Sequence, residues 1–275
     1  MAFAPNTPSL EDASLTISGG VALLTFERDD VRNALTGTAL VDDLLAVLDW
    51  LKSEKSARVL IITGAGKAFS SGGNIKEMQQ RSGSFAGHVQ ELEQRYRTGI
   101  QRMPLAMEAC EVPIIAAING PAIGAGFDLA CMCDFRLGCP ETLLGETFIN
   151  LGIIPGDGGA WFLQRLIGYQ HAAELTLSGR LVSAEEALQL GILLDVLPSQ
   201  ASLLERAQQM AQSFASKSPQ ALSYTKRLLK LAQRQNLNDF LQTCALMQGV
   251  CHQTAEHAEA VQAFIDKRVP DFTQS

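Results

Sequence analysis

Short apolar blocks separated by polar and glycine-rich punctuation fill the first two hundred residues, and helical spacing takes over after them. Residues 15–17 and 21–26 are apolar runs around Ser18-Gly19-Gly20, a pattern that predicts a β-hairpin. Residues 28–33 are polar and read as a loop. Leu40, Val41, Leu44, Leu45, Leu48 and Leu51 recur three and four apart, on one face of a helix, with Thr36 or Thr38 as its N-cap. Residues 58–63 and 112–118 have the length and β-branched content of buried strands. Between them runs a glycine-rich loop, then a polar helical stretch to about Cys110, whose small polar middle at residues 79–87 reads as mobile. Ser183-Ala-Glu-Glu186 reads as a capping box, Gly191 as a helix end and Pro219 as a first helical residue. Strands interleaved with helices and then helices alone predict an α/β core over residues 1–200, its first ten or so residues a loose tail, and a helical C-terminal region over 201–275.

One stretch carries more than pattern. After the run 112–118, Asn119-Gly120-Pro121 forces a turn, and Gly124-Ala-Gly126 permits close backbone approach. Phe127-Asp-Leu-Ala-Cys-Met-Cys133 then opens a buried helix with one carboxylate, Asp128, in its first turn. Free N–H groups and a positive dipole end at such a place suit an anion or a developing oxyanion, while Asp128 on its own is also a plausible helix cap. Neither Gly124-Ala-Gly126 nor Gly64-Ala-Gly66 completes GxGxxG, and no P-loop is present.

Bulk properties narrow the field. A chain of 275 residues, 47% apolar and 19% charged, has enough material for a sizeable core. A net charge of -7 and a pI near 5.2, without a Lys/Arg run, argue against nucleic acid or an anionic membrane as partner. No apolar run has bilayer length and the N-terminus lacks signal-peptide features, so a cytoplasmic protein is expected. The six cysteines lack metal spacing and read as thiols in a reducing compartment. His252 and His257, five apart, fall off one helical face, so no metal pair is expected.

Three motifs together carry a resemblance. Residues 58–63 lead into Gly64-Ala-Gly-Lys-Ala-Phe-Ser-Ser-Gly-Gly-Asn-Ile-Lys-Glu-Met78; Gly124-Ala-Gly126 follows; Ile154-Pro-Gly-Asp-Gly-Gly159 comes third. In this order they resemble the crotonase (enoyl-CoA hydratase/isomerase) superfamily over nearly the whole chain. The resemblance implies a crotonase-like spiral of ββα units, C-terminal helices that build a homotrimer or a dimer of trimers, and an acyl-CoA thioester substrate without metal or redox cofactor. It also implies two backbone N–H groups holding a thioester enolate, which fall on Ser71 and Ala125. CoA contacts fall on Arg32, Ala34, Ser71, Gly72, Gly73 and Asn74, with Phe264 and Lys267 in a C-terminal segment that closes on the nucleotide.

The acid/base positions depart from the pattern of hydratases, which carry two glutamates. The first position is Asp128 here, and the second is Phe148, which transfers no proton. Asp157 and Glu146 stand nearby as replacements; with residues 145–148 extended, Glu146 shares a face with Phe148. Asp157 also reads as a helix cap and Glu146 as a surface carboxylate. Double-bond isomerisation or hydration of an enoyl-CoA is therefore the expected activity, with a non-catalytic CoA-binding scaffold as the alternative that Phe148 motivates. A serine nucleophile at Ser70 or Ser71 lacks both a GxSxG elbow and a histidine in support.

Overall fold

The structure, a computed structural model, describes residues 7–54 and 56–272. Six strands form the larger sheet: β1 (Ala13–Ser18), β2 (Val21–Phe26), β3 (Val59–Gly64), β4 (Ile114–Ile118), β6 (Phe135–Gly138) and β9 (Asp195–Val196), adjacent in that order. The β1–β2 hairpin is antiparallel and every later pairing in this sheet is parallel. A second sheet holds β5 (Ala122–Ile123), β7 (Leu143–Gly145) and β8 (Leu181–Ser183). The chain runs from a strand of the large sheet to one of the small sheet and then into a helix, twice in succession. These units are β4-β5-α5, with α5 at Ala125–Met132, and β6-β7-α6, with α6 at Gly159–Ser178. That repeat is the expected spiral of ββα units.

Period-two alternation divides the core between the two faces of the large sheet. Leu60, Ile62, Ile114, Ala116 and Ile118 face α1 (Leu40–Ser53), α4 (Arg102–Ala109) and α5. Val59, Ile61, Ile115 and Ala117 face Leu203, Ala207, Met210 and Ala211 of α8 (Gln200–Ala215). Both sides are covered, which explains why these strands are unbroken apolar runs. By packing, α8 belongs with the core.

The helices that stand off the core are α9 (Pro219–Ala232), α10 (Leu237–His252) and α11 (Ala255–Ile265). Ionic contacts hold α9 down: Lys226 pairs with Asp134 at 2.6 Å and donates to the Val112 carbonyl, and Lys230 donates to the Met107 and Glu108 carbonyls. Those last carbonyls end α4, where a cation is favoured by the helix dipole. α10 buries no residue, and Leu237, Leu241, Leu246 and Phe264 are exposed.

Several local expectations shift. The helix α1 starts at Leu40 after Ala39, whose side chain gives no cap; Thr38, one residue earlier, accepts from Leu40 N–H at 3.4 Å and donates its hydroxyl to the Ala34 carbonyl. Ser183 caps α7 (Ala184–Gln189) through Glu186 N–H, but the Glu186 carboxylate pairs with Arg180, so the box is only half made. Ser218 caps α9 with Pro219 first in the helix. Residues 79–87 are the end of α2 (Ile75–Gln80), its cap Arg81 and a short 3₁₀ turn. His252 and His257 do meet, at 3.0 Å between ring nitrogens, because the turn between α10 and α11 folds one onto the other. Within the expected tail, residues 1–6 lie outside the described residues, and 7–10 have no regular structure.

Candidate active site

Two loops of the large sheet's carboxyl edge are stitched together above β3 and β4. The segment after β3 carries Phe69, Ser70, Ser71 and Gly72; the segment after β4 carries Pro121 to Gly124. Phe69 and Ser70 N–H both donate to the Pro121 carbonyl, and Ile123 N–H donates back to Ser70 O. A third strand-like segment joins from the other side: Leu35 N–H donates to Gly72 O at 2.7 Å and Ser71 N–H to Arg32 O at 2.9 Å. Gly72 has φ +74°, and a Cβ there would lie 2.4 Å from the Ile123 carbonyl oxygen, so no other residue permits this approach.

This stitching decides which N–H groups remain free. The Ser71 N–H is committed to Arg32, so the expected donor at Ser71 is corrected. Two residues on, Gly73 N–H finds no acceptor among the described residues, and Gly73 lines the adjacent cavity. Ala125 is the first residue of α5, where a helix leaves its N–H groups unpaired, and it lines the same cavity. The two serine hydroxyls are structural: Ser70 donates to the Asn33 carbonyl and Ser71 to the Val31 carbonyl. No histidine lines the cavity, so nothing there activates them.

The cavity has a volume of about 440 Å³ and is lined by Ser71, Gly73, Ala125, Phe148 and Asp157 together with residues around the junction of α3 (Val89–Thr98) and α4. Ile75, Met78, Phe85, Ile100, Leu151 and Ile153 make much of its wall apolar. The Phe148 ring approaches within 3.6 Å of the Cβ position of Gly124, so it roofs the start of α5 beside the Ala125 N–H. Asn74 caps α2 through Lys76 and Glu77 N–H, and Ala34 pairs with Gly72. Arg32, Ala34, Gly72 and Asn74 do not line the cavity, and nor do Phe264 and Lys267 on α11 and its C-terminal end. Phe264 is instead 85% exposed.

Asp128, Glu146 and Asp157 converge, and all three are buried. Asp128 comes from the first turn of α5, Glu146 from the residue after β7, and Asp157 from the loop that enters α6. Residues 147–151 form a 3₁₀ turn, so the extended run expected at 145–148 is corrected, and Glu146 turns inward while Phe148 faces the cavity. Only Asp157 of the three lines the cavity; Asp128 and Glu146 stand behind it. Gly159 is what leaves them room: a Cβ there would lie 2.1 Å from Asp128 Oδ1 and 2.3 Å from Glu146 Oε1. Neither acid in α5 or before α6 caps a helix, since α5 starts after Gly124 and α6 after Gly158.

None of the six carboxyl oxygens has a well-formed hydrogen bond from an N–H or O–H donor among the described residues, and only the backbone N–H of Asp157 lies near enough to its own carboxyl to favour the charged form. They meet one another instead: Asp128 contacts both Asp157 and Glu146, and a proton on one partner turns each such contact into a hydrogen bond. The buried cation nearest in sequence, Arg136, spends its donors on the carbonyls of Ile192, Ala130 and Cys133. Burial, and then the charges of Asp157 and Glu146, hold Asp128 well above the usual carboxylate range. Burial pushes Glu146 up to about 7 and raises Asp157, and in both the hydrogen bond with Asp128 works the other way. Asp128 is therefore the last to ionise, and its proton supports a charge on its neighbours. Among the described residues no set of three or more His, Cys, Asp or Glu side chains is arranged to hold a metal ion.

A stability prediction follows from these shifts. Glu146 has an ordinary value of 4.5 and a folded value of about 7, so the folded chain binds more protons than the unfolded chain between them. Its contribution is present below 4.5 and is lost as pH rises through 7. Its size is on the order of 3 kcal/mol. Glu146→Gln should match the wild type in acid and exceed it in stability at about pH 8. Calorimetric unfolding of both proteins across that range checks this; parallel curves would show that folding does not raise Glu146 above its ordinary value.

With this geometry in place, comparison with known proteins gives a consistent result. A family model described as Enoyl-CoA hydratase/isomerase matches residues 16–275. The 2,3-dehydroadipyl-CoA hydratase of Escherichia coli is 34% identical, over 92% of this chain and 94% of its own. The enoyl-CoA isomerase/hydratase fer4 of Mycosarcoma maydis is also 34% identical, over 96% of both chains. Among solved structures, the enoyl-CoA hydratase from Bacillus anthracis superposes with a TM-score of 0.88 at 32% identity, covering 96% of this chain and all of that one.

Proposed function

Since this chain belongs to the enoyl-CoA hydratase/isomerase family, we propose that it is an enzyme that shifts the double bond of an enoyl-CoA thioester. The observation that carries the reading is Asp157, the one buried carboxyl on the cavity wall among the described residues, backed by two further buried carboxyls in a cavity that Phe148 also lines. The thioester carbonyl oxygen accepts from the N–H groups of Gly73 and Ala125. Asp157 as carboxylate takes a proton from C2 of a 3-enoyl thioester, and the electron pair moves onto the carbonyl oxygen as a dienolate. The two fixed donors stabilise that charge without reorganising. Asp157 then returns the same proton to C4, leaving the 2-enoyl thioester and the starting enzyme. Asp128 keeps its own proton and donates it to Asp157, which holds Asp157 ionised despite its burial; Glu146 positions Asp128 from behind.

Hydration is the second reading, favoured by the hydratase names of relatives such as that of E. coli. It requires a water held at C3 by two carboxylates, and Phe148 occupies one of the two hydratase positions. Crotonyl-CoA hydration is expected to be weak. The deciding experiment is a panel of trans-2-enoyl-, 3-enoyl- and dienoyl-CoA esters: faster turnover of the 3-enoyl ester supports isomerisation, and faster crotonyl-CoA hydration sinks it. The scaffold alternative would need no turnover on any of them, and it gives no account of three unpaired carboxyls kept in the interior.

The pantetheine and nucleotide are read as lying along Arg32–Ala34 and Ser71–Asn74. The exposed apolar side chains of α9–α11, Leu229, Leu237, Leu241 and Leu246 among them, support self-association into a trimer or a dimer of trimers. Light scattering that returned a monomer at assay concentration would remove that reading. Among the described residues no helix is long and apolar enough to cross a membrane, and a cytoplasmic site of action remains the reading from composition.

A further inference from the structure

The cavity wall carries two cations, Arg95 and Arg102, and their situations differ. Arg102 reaches across from the start of α4 to Asp42 of α1 at 2.9 Å, so its charge is matched locally. Arg95, in the last turns of α3, pairs with no carboxylate among the described residues. Its Nη1 donates to the backbone carbonyls of Ala86 and Gly83, which fix the guanidinium without cancelling its charge. The remaining N–H groups of the fork, on Nε and Nη2, have no acceptor among the described residues. The other acid on the wall, Asp157, does not serve as a counter-ion for Arg95.

Position then gives the cation a meaning. The next residue, Tyr96, packs its ring on Gly156, with a ring carbon 2.9 Å from the Cβ position there, beside Asp157. The thioester end of the cavity is marked by Gly73 and Ala125. Arg95 lines the same cavity with Tyr96 and Ile100 of the α3–α4 region, and the acyl chain bound there meets it. A cavity whose wall is largely apolar and carries a tethered, exposed guanidinium without a carboxylate partner fits a chain that is itself apolar along its length and anionic at its end. An aliphatic acyl tail alone would leave that charge unused.

We propose that Arg95 selects acyl-CoA esters whose acyl chain ends in a second carboxylate, the mono-thioesters of dicarboxylic acids. Arg95 binds the distal carboxylate by a charge-assisted, forked hydrogen bond. It takes no part in the proton transfer. The inference rests on the reading above only in that the acyl chain enters this cavity.

Binding of saturated esters tests this without any turnover. Titration calorimetry compares adipoyl-CoA with hexanoyl-CoA, and suberoyl-CoA with octanoyl-CoA, on wild type and on Arg95→Gln and Arg95→Lys. The wild type should bind at least one diacid ester about tenfold more tightly than its methyl-ended partner, Arg95→Gln should lose that preference, and Arg95→Lys should keep part of it. Equal wild-type affinities within both pairs would overturn the proposal. So would an Arg95→Gln loss shared equally by diacid ester, methyl-ended ester and free CoA, which would assign the cation to a CoA phosphate. A diacid preference in a protein that isomerises none of the enoyl esters would leave the selectivity standing and remove the reaction assigned above.

Discussion

Asp157→Asn should lower turnover of a 3-enoyl-CoA by about a hundred- to ten-thousandfold, the range expected for loss of a general base. Asparagine keeps the shape of the side chain and accepts no proton at neutral pH. The residue lines the cavity, so the loss belongs in kcat more than in KM. Asp128→Asn should be milder, because the amide N–H still donates to Asp157 from the same buried position, 0% exposed. Exchange of the C2 protons of a saturated acyl-CoA with solvent deuterium reads the proton transfer alone, without the need for a double bond. It should fall in parallel with turnover in Asp157→Asn. If Asp128→Asn were the more damaging of the two by a large margin, Asp128 would be the group that touches substrate, and Asp157 its support.

That ordering differs from the one that the chain's linear pattern suggests, and the reason is tertiary. Strands β3 and β4, the helix α5 and the carboxylate in its first turn are legible because each is a local matter of period, turn chemistry and burial. The choice between Ser71 and Gly73 as donor is not local. It depends on Arg32, about forty residues upstream, whose carbonyl claims the Ser71 N–H. Nothing in Phe69-Ser-Ser-Gly-Gly-Asn74 announces that pairing, although Ala34 and Gly72 both stood out as candidate binding residues. The position of Glu146 was likewise hidden, because a 3₁₀ turn at 147–151 sends it inward where an extended strand would have kept it beside Phe148. Gly159 reads in the sequence as one more glycine of a loop. Its necessity shows only when Asp128 and Glu146 are seen to occupy the space of its absent side chain. Arg95 carries no local sign at all, since Arg at the end of a polar helix is ordinary. Only the cavity beside it makes its lack of a counter-ion informative.

The backbone donor at Ala125 gives a test that leaves every side chain of the carboxyl cluster in place. Ala125→Pro deletes one N–H at the first residue of α5, the helical position where proline is best tolerated. The preceding Gly124, at φ +54° and ψ −123°, is extended in the mirror-image sense that glycine alone adopts freely, so it accommodates the proline that follows. The fold should therefore survive, with circular dichroism unchanged. Loss of one donor to an oxyanion costs about a hundred- to a thousandfold in kcat. Ala125→Gly keeps the N–H and should retain turnover within a few-fold, which separates the donor from the methyl group. Ser71→Ala should also be nearly silent, because the Ser71 N–H is already bound to Arg32 O and its hydroxyl only tethers the loop to Val31. The proline ring also adds a carbon where the N–H pointed, so binding of a saturated acyl-CoA is measured beside turnover. A fall in kcat well beyond any fall in affinity identifies a contact that strengthens in the transition state. Turnover by a folded Ala125→Pro protein within a few-fold of wild type would mean that the enolate charge is held elsewhere, and Gly73 would lose its role with it.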